Sequence, residues 1–412
     1  MQKTNNASEA MATAGQPPFT MKWGIMSTGH IAANFARDLL TDPGIRGVHD
    51  IRHRIVAVAS STSPEIATEF LLKIQLPAGE QVKTYGSYLE LVADANVDIV
   101  YIATPASHHF QNTMLALQFR KHVLCEKPFT ITAAQAATLV AAARAKQLFL
   151  MEALWTRFFP LSVQVQDLVS SDTIGTVYRV IADNSMNRSL DDGGLGFDPA
   201  SRMINPDLGG GAMLDMGVYA LSWVLLILYH LQPEGVKELP AAVVSAINKY
   251  YTGVDESTSF VVTFPIHGTM GIGMTTLRVG SGVDYNFTGG AAIKIQGSKG
   301  EIQICGPPFR PLQYRIILKD GNGAVQLVDC PIPGDRYRDG WGRGLFWEAD
   351  ECARCVRDGM LESNMLPLQE TIVGVGVMEA VLKQGGVCYP ETITSDVYNP
   401  QSPLNMPRSG IP

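Results

Sequence analysis

From Met21 onward the chain alternates short runs of β-branched and aliphatic residues with longer stretches in which apolar positions recur every three or four residues. That alternation is the pattern of a parallel sheet whose strands are joined by covering helices. It predicts strands at Lys22 to Met26, Arg54 to Ser60, Ile99 to Thr104, Val123 to Glu126 and Leu148 to Glu152. Helices are expected between them, at Ile31 to Leu40, Pro64 to Leu72, Tyr88 to Ala93, His109 to Arg120 and Thr132 to Ala145, the last opened by a Thr132 cap. The first unit therefore reads as a doubly wound α/β domain over residues 21–152.

The rhythm then changes. Extended runs separated by turn signals follow one another: Thr176 to Asp183, Ala242 to Tyr250, Ser257 to Phe264, Thr269 to Arg278, Ala292 to Gln296, Gly300 to Ile304 and Gln313 to Leu318. Helices are expected at Ala212 to His230 and Leu345 to Asp358, and a third, Glu370 to Lys383, is placed to pack back toward the first domain. A second domain thus occupies residues 153–392, with tails at 1–20 and 393–412. The most apolar stretch, Gly217 to Tyr229, is shorter than the ~20 residues a bilayer requires and is bracketed by Asp215 and His230, so it reads as a buried core helix and no membrane partner is expected. Met1 to Thr20 is polar without the basic-then-apolar order of a signal peptide; a disordered tail and a cytoplasmic protein are the expectation.

Composition adds constraints. At 412 residues the chain exceeds what one compact core holds, and 46% hydrophobic with 17% charged residues is an ordinary globular balance. Thirty-two basic against 39 acidic side chains give a net charge of -7, and no basic run is dense enough to track a phosphate backbone, which argues against nucleic acid. The six cysteines are too sparse for a disulfide framework and suit a reducing compartment. Cys352 and Cys355 form a CxxC pair inside a helical run, where they read as two semi-buried helix residues. No Cys, His and carboxylate cluster has ligand spacing, so no metal is expected.

Candidate chemistry gathers at strand ends. The first strand runs into Ser27-Thr28-Gly29-His30-Ile31-Ala32, the place of a G-x-G-x-x-G/A turn whose backbone N–H groups approach a pyrophosphate; Ser27 stands for the first glycine and Ala32 for the third. After the second strand come Ser60, Ser61, Thr62 and Ser63, hydroxyls without the carboxylate that a free ribose 2′-hydroxyl calls for, so NADP is favoured over NAD. Lys127 lies at the carboxyl edge of the sheet. Gly209, Gly210 and Gly211 open a helix carrying Asp215 and Tyr219, four apart and therefore on one face.

The segments Ile102-Ala103-Thr104-Pro105 with Ser107-His108-His109, and Lys121 to Pro128 ending Glu126-Lys127-Pro128, resemble the paired motifs of the Gfo/Idh/MocA oxidoreductase family. Phe149 to Pro160 resembles the branch that holds dimeric dihydrodiol dehydrogenases and fungal NADP-dependent D-xylose dehydrogenases. The resemblance implies an N-terminal Rossmann domain, a C-terminal α+β domain with a large, mostly antiparallel sheet, and homodimers formed through the second domain. It implies Lys127 and Tyr219 as the catalytic pair, with Tyr219 moving the proton and Asp215 in support. A neighbouring Lys127 ammonium is expected to draw the tyrosine below its ordinary value of ~10.

On the cofactor side the expectation places Ser27, Thr28, Gly29, His30, Ile31, Ser60, Ser61, Thr62, Thr104, Pro105, His108, His109, Glu126 and Lys127, with Trp155 and Arg157 entering the cleft. Substrate contacts are expected from Lys127, Trp155, Asn184, Arg202, Asp215 and Tyr219. The reaction so implied is NADP-dependent oxidation of a cyclic aldose at C1, D-xylose to its 1,5-lactone. A dihydrodiol, dicarbonyl or secondary-metabolite substrate is the alternative, and a non-catalytic NADP sensor the second, which would need neither Lys127 nor Tyr219.

Overall fold

The computed structural model describes residues 17–282, 290–321 and 324–406. Six parallel strands form the first sheet in the order β3-β2-β1-β4-β5-β6. They are β1 (Phe19–Met26), β2 (Ile51–Ala59), β3 (Lys83–Tyr85), β4 (Ile99–Ile102), β5 (His122–Glu126) and β6 (Leu150–Ala153). Between them lie α1 (His30–Leu39), α2 (Pro64–Lys73), α3 (Tyr88–Ala93), α4 (His109–Gln118) and α5 (Ala133–Lys146). The order reverses between β1 and β4, which opens a crevice at the carboxyl ends of the strands. Thr132 caps α5 as its residue type predicts, in a capping box with Gln135.

The second sheet has eight strands in the order β14-β13-β12-β11-β7-β10-β9-β8, antiparallel except where β7 (Val177–Asp183) pairs with β10 (Thr269–Thr276). Its other members are β8 (Ala242–Lys249), β9 (Asp255–Phe264), β11 (Ile293–Gly297), β12 (Gly300–Ile304), β13 (Gln313–Leu318) and β14 (Val325–Asp329). One face is covered by α7 (Val218–Leu225), flanked by π-helical turns Met213–Gly217 and Leu226–His230. The whole apolar segment is buried against the sheet, so its hydropathy serves a core. The remaining helices are α6 (Pro160–Ser170), α8 (Phe346–Arg357), α9 (Leu368–Gln384) and α10 (Glu391–Thr394).

Three elements depart from the sequence expectation. β3 is only three residues long, β14 is an exposed edge strand without apolar alternation, and α6 starts with Pro160 at its first turn, where the ring's preset φ favours helix entry. The tails need correction as well. Phe19 and Thr20 already pair in β1, and the rest of the expected N-terminal tail lies outside the described residues apart from Pro17 and Pro18. The segment 393–406 is docked: the side-chain amides of Gln111 and Asn112 on α4 donate to the carbonyls of Val397 and Leu404, and Gln135 on α5 donates to those of Ile393 and Ser395.

The C-terminal part of the chain locks the two sheets together. Asp38 on α1 accepts the backbone N–H groups of Arg343 and Leu345 and the indole N–H of Trp341, ahead of α8. Asp350 on α8 takes two of the three Arg46 guanidinium nitrogens at 2.7 and 2.8 Å and His53 at 2.9 Å, with all three side chains buried. α9 packs on α5, where Glu379 accepts the Ala133 N–H. The cleft between the sheets is therefore held on rigid walls.

Candidate active site

The cleft wall from the first domain is built from strand ends. Ser27, just beyond β1, holds φ at +99°, a conformation that favours glycine, and its Oγ accepts the Gly29 N–H at 3.3 Å. The serine thus makes the turn at some backbone strain and braces it with its own side chain. α1 starts at Gly29 without a side-chain cap, leaving its first N–H groups open, and a Cβ at Gly29 would meet nothing nearer than Ser27 Oγ at 3.6 Å. Thr28, Gly29, His30 and Ile31 are partly or fully exposed around this opening. At the end of β4, Thr104 Oγ1 is buried with no hydrogen-bond partner, beside Pro105. An uncapped helix start, an open glycine and an orphaned hydroxyl on adjacent strand ends fit the pyrophosphate and nicotinamide half of a dinucleotide.

Opposite them stands the helix Met213 to His230. Lys127 Nζ donates to the Asp215 carbonyl at 2.7 Å and to its carboxylate at 3.0 Å, crossing from one domain to the other. Arg202 donates to the same Asp215 oxygen at 2.7 Å. Burial opposes ionisation of Asp215, but the Lys127 and Arg202 charges outweigh it and hold the carboxyl well below the usual carboxylate range. Lys127 Nζ lies 5.1 Å from the Tyr219 ring centroid, and the Trp155 indole N–H donates to Tyr219 Oη at 2.9 Å. Phe309, which no sequence signal singled out, closes the aromatic wall with ring centroids 6.3 Å from Trp155 and 5.8 Å from Tyr219.

The electrostatics of Tyr219 reverse the expectation. Burial, reinforced by the Glu126 carboxyl, pushes the phenol well above its ordinary value; the Trp155 N–H bond pulls the other way and is outweighed. Burial outweighs any pull from Lys127, whose ammonium is bonded to Asp215. The resting side chain is a neutral phenol whose oxygen accepts from Trp155, which leaves its own hydrogen free to point elsewhere.

Four other expectations are corrected. Arg157 does not enter the cleft: its side chain is 1% exposed, paired with Glu370 at 2.5 Å and donating to the Met365 carbonyl, with His230 on the second Glu370 oxygen. His109 is buried with its two ring nitrogens 2.7 and 2.9 Å from the Pro128 and Thr104 carbonyls, and burial lowers its pKa to about 4; it sits between two strand-end turns, and as a neutral ring it donates to one of the two carbonyls at a time. Asn184 is 1% exposed and donates its side-chain amide to the Met216 carbonyl, which turns it to the helix bearing Asp215 and Tyr219 rather than to the cleft. Ser60 is buried with Oγ accepting the Thr62 N–H, which leaves Ser61 and Thr62 as the accessible hydroxyls of that tip. His108 is buried next to His109, with Nδ1 2.8 Å from Ser107 Oγ. Glu126 accepts the Tyr101 hydroxyl at 2.5 Å and the Lys127 backbone N–H at 3.0 Å, so it orients the Lys127 turn from behind. Among the described residues no group of His, Cys, Asp and Glu could hold a metal ion.

Comparison with known proteins agrees with the fold. Residues 21–154 match the oxidoreductase family with an NAD-binding Rossmann fold, GFO_IDH_MocA, and residues 162–303 match the GFO/IDH/MocA C-terminal domain. The chain is 58% identical to D-xylose 1-dehydrogenase (NADP(+)) of Hypocrea jecorina over 94% of its own length and 98% of that protein's. It is 32% identical to human trans-1,2-dihydrobenzene-1,2-diol dehydrogenase over 90% and 98%. Among solved structures, levoglucosan dehydrogenase shares the fold with a TM-score of 0.72 at 17% identity, covering 89% of this chain and 97% of that one.

If Arg157 serves the fold alone, Arg157→Met should cost stability by leaving the buried Glu370 carboxylate with His230 as its remaining charged partner. A loss of about 3–5 kcal/mol is expected in chemical denaturation. A loss below ~1 kcal/mol would return Arg157 to the cleft.

Proposed function

The chain belongs to the Gfo/Idh/MocA oxidoreductase family, and from that premise we propose that it is an NADP-dependent dehydrogenase oxidising the C1 hydroxyl of a cyclic aldose, D-xylose to xylono-1,5-lactone. The observation that carries the reading is the near full-length identity to the fungal D-xylose dehydrogenase, with Lys127, Asp215 and Tyr219 gathered at one opening of the cleft. When bound, the nicotinamide supplies hydride acceptance at C4. The uncapped start of α1, Thr104, and the Ser61 and Thr62 hydroxyls would hold the dinucleotide, the last two at the 2′-phosphate.

The chain's own part is proton handling and orientation. Lys127, anchored by Asp215 through two of its three N–H donors, has one left to aim at the substrate's C1 oxygen. Tyr219 exchanges a proton with that oxygen: as a phenol it donates when a carbonyl is reduced, and in oxidation it takes the hydroxyl proton as a phenolate stabilised by the Trp155 N–H. Trp155 and Phe309 supply the apolar wall that a sugar ring face packs on. The pair activates no water, so the ring-closed sugar gives a lactone before any acid. The 32% identity to dihydrodiol dehydrogenase supports a trans-dihydrodiol as the second substrate reading.

Mixing the protein with NADP and a panel of aldoses and diols, while following NADPH absorbance and early product by NMR, tests the proposal. Xylose turnover with a lactone as first product is expected; turnover of a dihydrodiol and not of xylose would overturn it. Tyr219→Phe should lower turnover by roughly 100-fold with little change in NADPH affinity. Because the indole N–H pulls the phenol pKa down, Trp155→Phe should raise it, leave less phenolate at any given pH, and shift the alkaline rise of kcat/KM for oxidation to higher pH. An unmoved profile would remove Tyr219 as the base. Ser61→Asp should weaken NADP by repulsion and spare NAD; equal losses with both cofactors would contradict the 2′-phosphate placement.

We further place the protein in a reducing compartment such as the cytoplasm, in keeping with six unbonded cysteines, and propose a homodimer. On the sheet face away from α7, Val244, Val261, Ile272 and Ile181 stand side by side across β8, β9, β10 and β7, flanked by exposed Met270 and Met274. Such an apolar row suits a second copy of the same face. Sedimentation at micromolar concentration should give a dimer, and a monomer would refute it.

A further inference from the structure

The helix bearing Asp215 and Tyr219 does not begin as a regular α-helix. Met213–Gly217 is a wide π turn, and its polar groups are held from outside by the second sheet. Asp255, at the start of β9 and fully buried, accepts the Met213 N–H at 2.7 Å and the Thr258 hydroxyl at 2.7 Å. Asn184, just past β7, donates to the Met216 carbonyl at 2.8 Å and is itself tied through its carbonyl to Thr275 on β10 at 2.8 Å. Between these two grips lies the Asp215 carbonyl that receives Lys127. The approach of Asp255 depends on Gly211, whose φ is +124° and whose place a Cβ could not share with the Asp255 carboxylate.

We infer that Asn184 and Asp255 are positioning residues, a clamp that holds the first turn of the catalytic helix in its π form and so sets where Asp215 and Tyr219 stand relative to Lys127. The inference rests on the dehydrogenase reading above and deepens it. A turn released from either grip can tighten to α geometry, and that rotates the side chains that follow it. Displacements of this kind slow the chemical step and leave the dinucleotide crevice, built on the other domain, unchanged.

The test uses Asn184→Ala, Asp255→Ala, Asp255→Asn and Gly211→Ala in the full chain, with D-xylose and with xylose deuterated at C1. Turnover should fall at least tenfold for the two alanine replacements of the clamp and for Gly211→Ala. NADPH affinity, read by fluorescence titration, should stay within twofold, and the deuterium isotope effect on kcat should rise above wild type as hydride transfer becomes rate-limiting. Asp255→Asn, which keeps an oxygen for the Met213 N–H, should recover most of the loss. Turnover falling only in proportion to the fraction able to bind NADPH, with an unchanged isotope effect, would overturn the clamp, as would turnover within twofold of wild type. If the wild type oxidises no aldose or diol, the functional reading fails by itself, and crystal structures of the same variants decide the clamp: relaxation of residues 213–217 to α-helix supports it, an intact π turn refutes it.

Discussion

One ammonium group ties the two domains together at the cleft. Lys127 stands at the carboxyl end of β5, and its Nζ is bonded to both the carbonyl and the carboxylate of Asp215 on the helix that packs on the second sheet. Each partner side chain is nearly buried, at 13% and 12% exposure, so neither charge has enough water to stand alone. The pair therefore forces the crevice of the first domain and the helix of the second that bears Asp215 and Tyr219 into register. Everything reactive in the site is then specified by what lies one contact further out: Glu126 behind Lys127, Arg202 beside Asp215, and Trp155 on Tyr219.

Holding two domains to that tolerance explains the number of buried ionic contacts that do no chemistry. Arg46 and His53 on Asp350, and Arg157 and His230 on Glu370, are shared between elements far apart in the chain. Burial alone would raise the pKa of Asp350, but the bonds from Arg46 and His53 bring it below the ordinary value, so the folded state prefers the ionised form more than the unfolded chain does. Its stabilisation is in place above the unfolded carboxyl pKa and is lost as pH falls through the depressed one. Asp38 carries the opposite sign. Burial raises its pKa to about 6 despite the Arg343, Leu345 and Trp341 donors, so its ionisation costs stability as pH rises from the unfolded value toward 6. The same interdomain seam is thus weakened by acid at Asp350, below the unfolded carboxyl value, and by ionisation at Asp38, between that value and about 6, so the two contributions act in adjoining pH ranges.

Much of this was legible in the residue order, because period and turn chemistry are local. The parallel strands, the capping at Thr132 and the turn at Gly29 follow from spacing. Partner identity is not local. Arg157 and Arg202 are indistinguishable as letters, yet one is buried on Glu370 and the other reaches Asp215 from a half-exposed position. His109 follows a motif at the cleft but turns inward to two carbonyls, and Asn184 grips a helix carbonyl. Asp255 and Phe309 carry no spacing signal at all; only the assembled second sheet and the turn after Pro308 bring them to the site.

The inversion at Tyr219 has the widest bearing on the chemistry. A tyrosine that rests as a phenolate would need a cation spent on it permanently, and the nearest one is already neutralising Asp215. The protein instead keeps the phenol neutral in a buried site and gives its oxygen a single stabilising donor, the Trp155 indole. In the proposed reaction that arrangement favours proton donation at rest, and positive charge in the cleft would assist proton uptake. An oxidised nicotinamide is positive and a reduced one is neutral. In the proposed reaction a bound oxidised nicotinamide would favour the phenolate when the substrate hydroxyl must lose its proton, and a reduced one the phenol when a carbonyl must gain one.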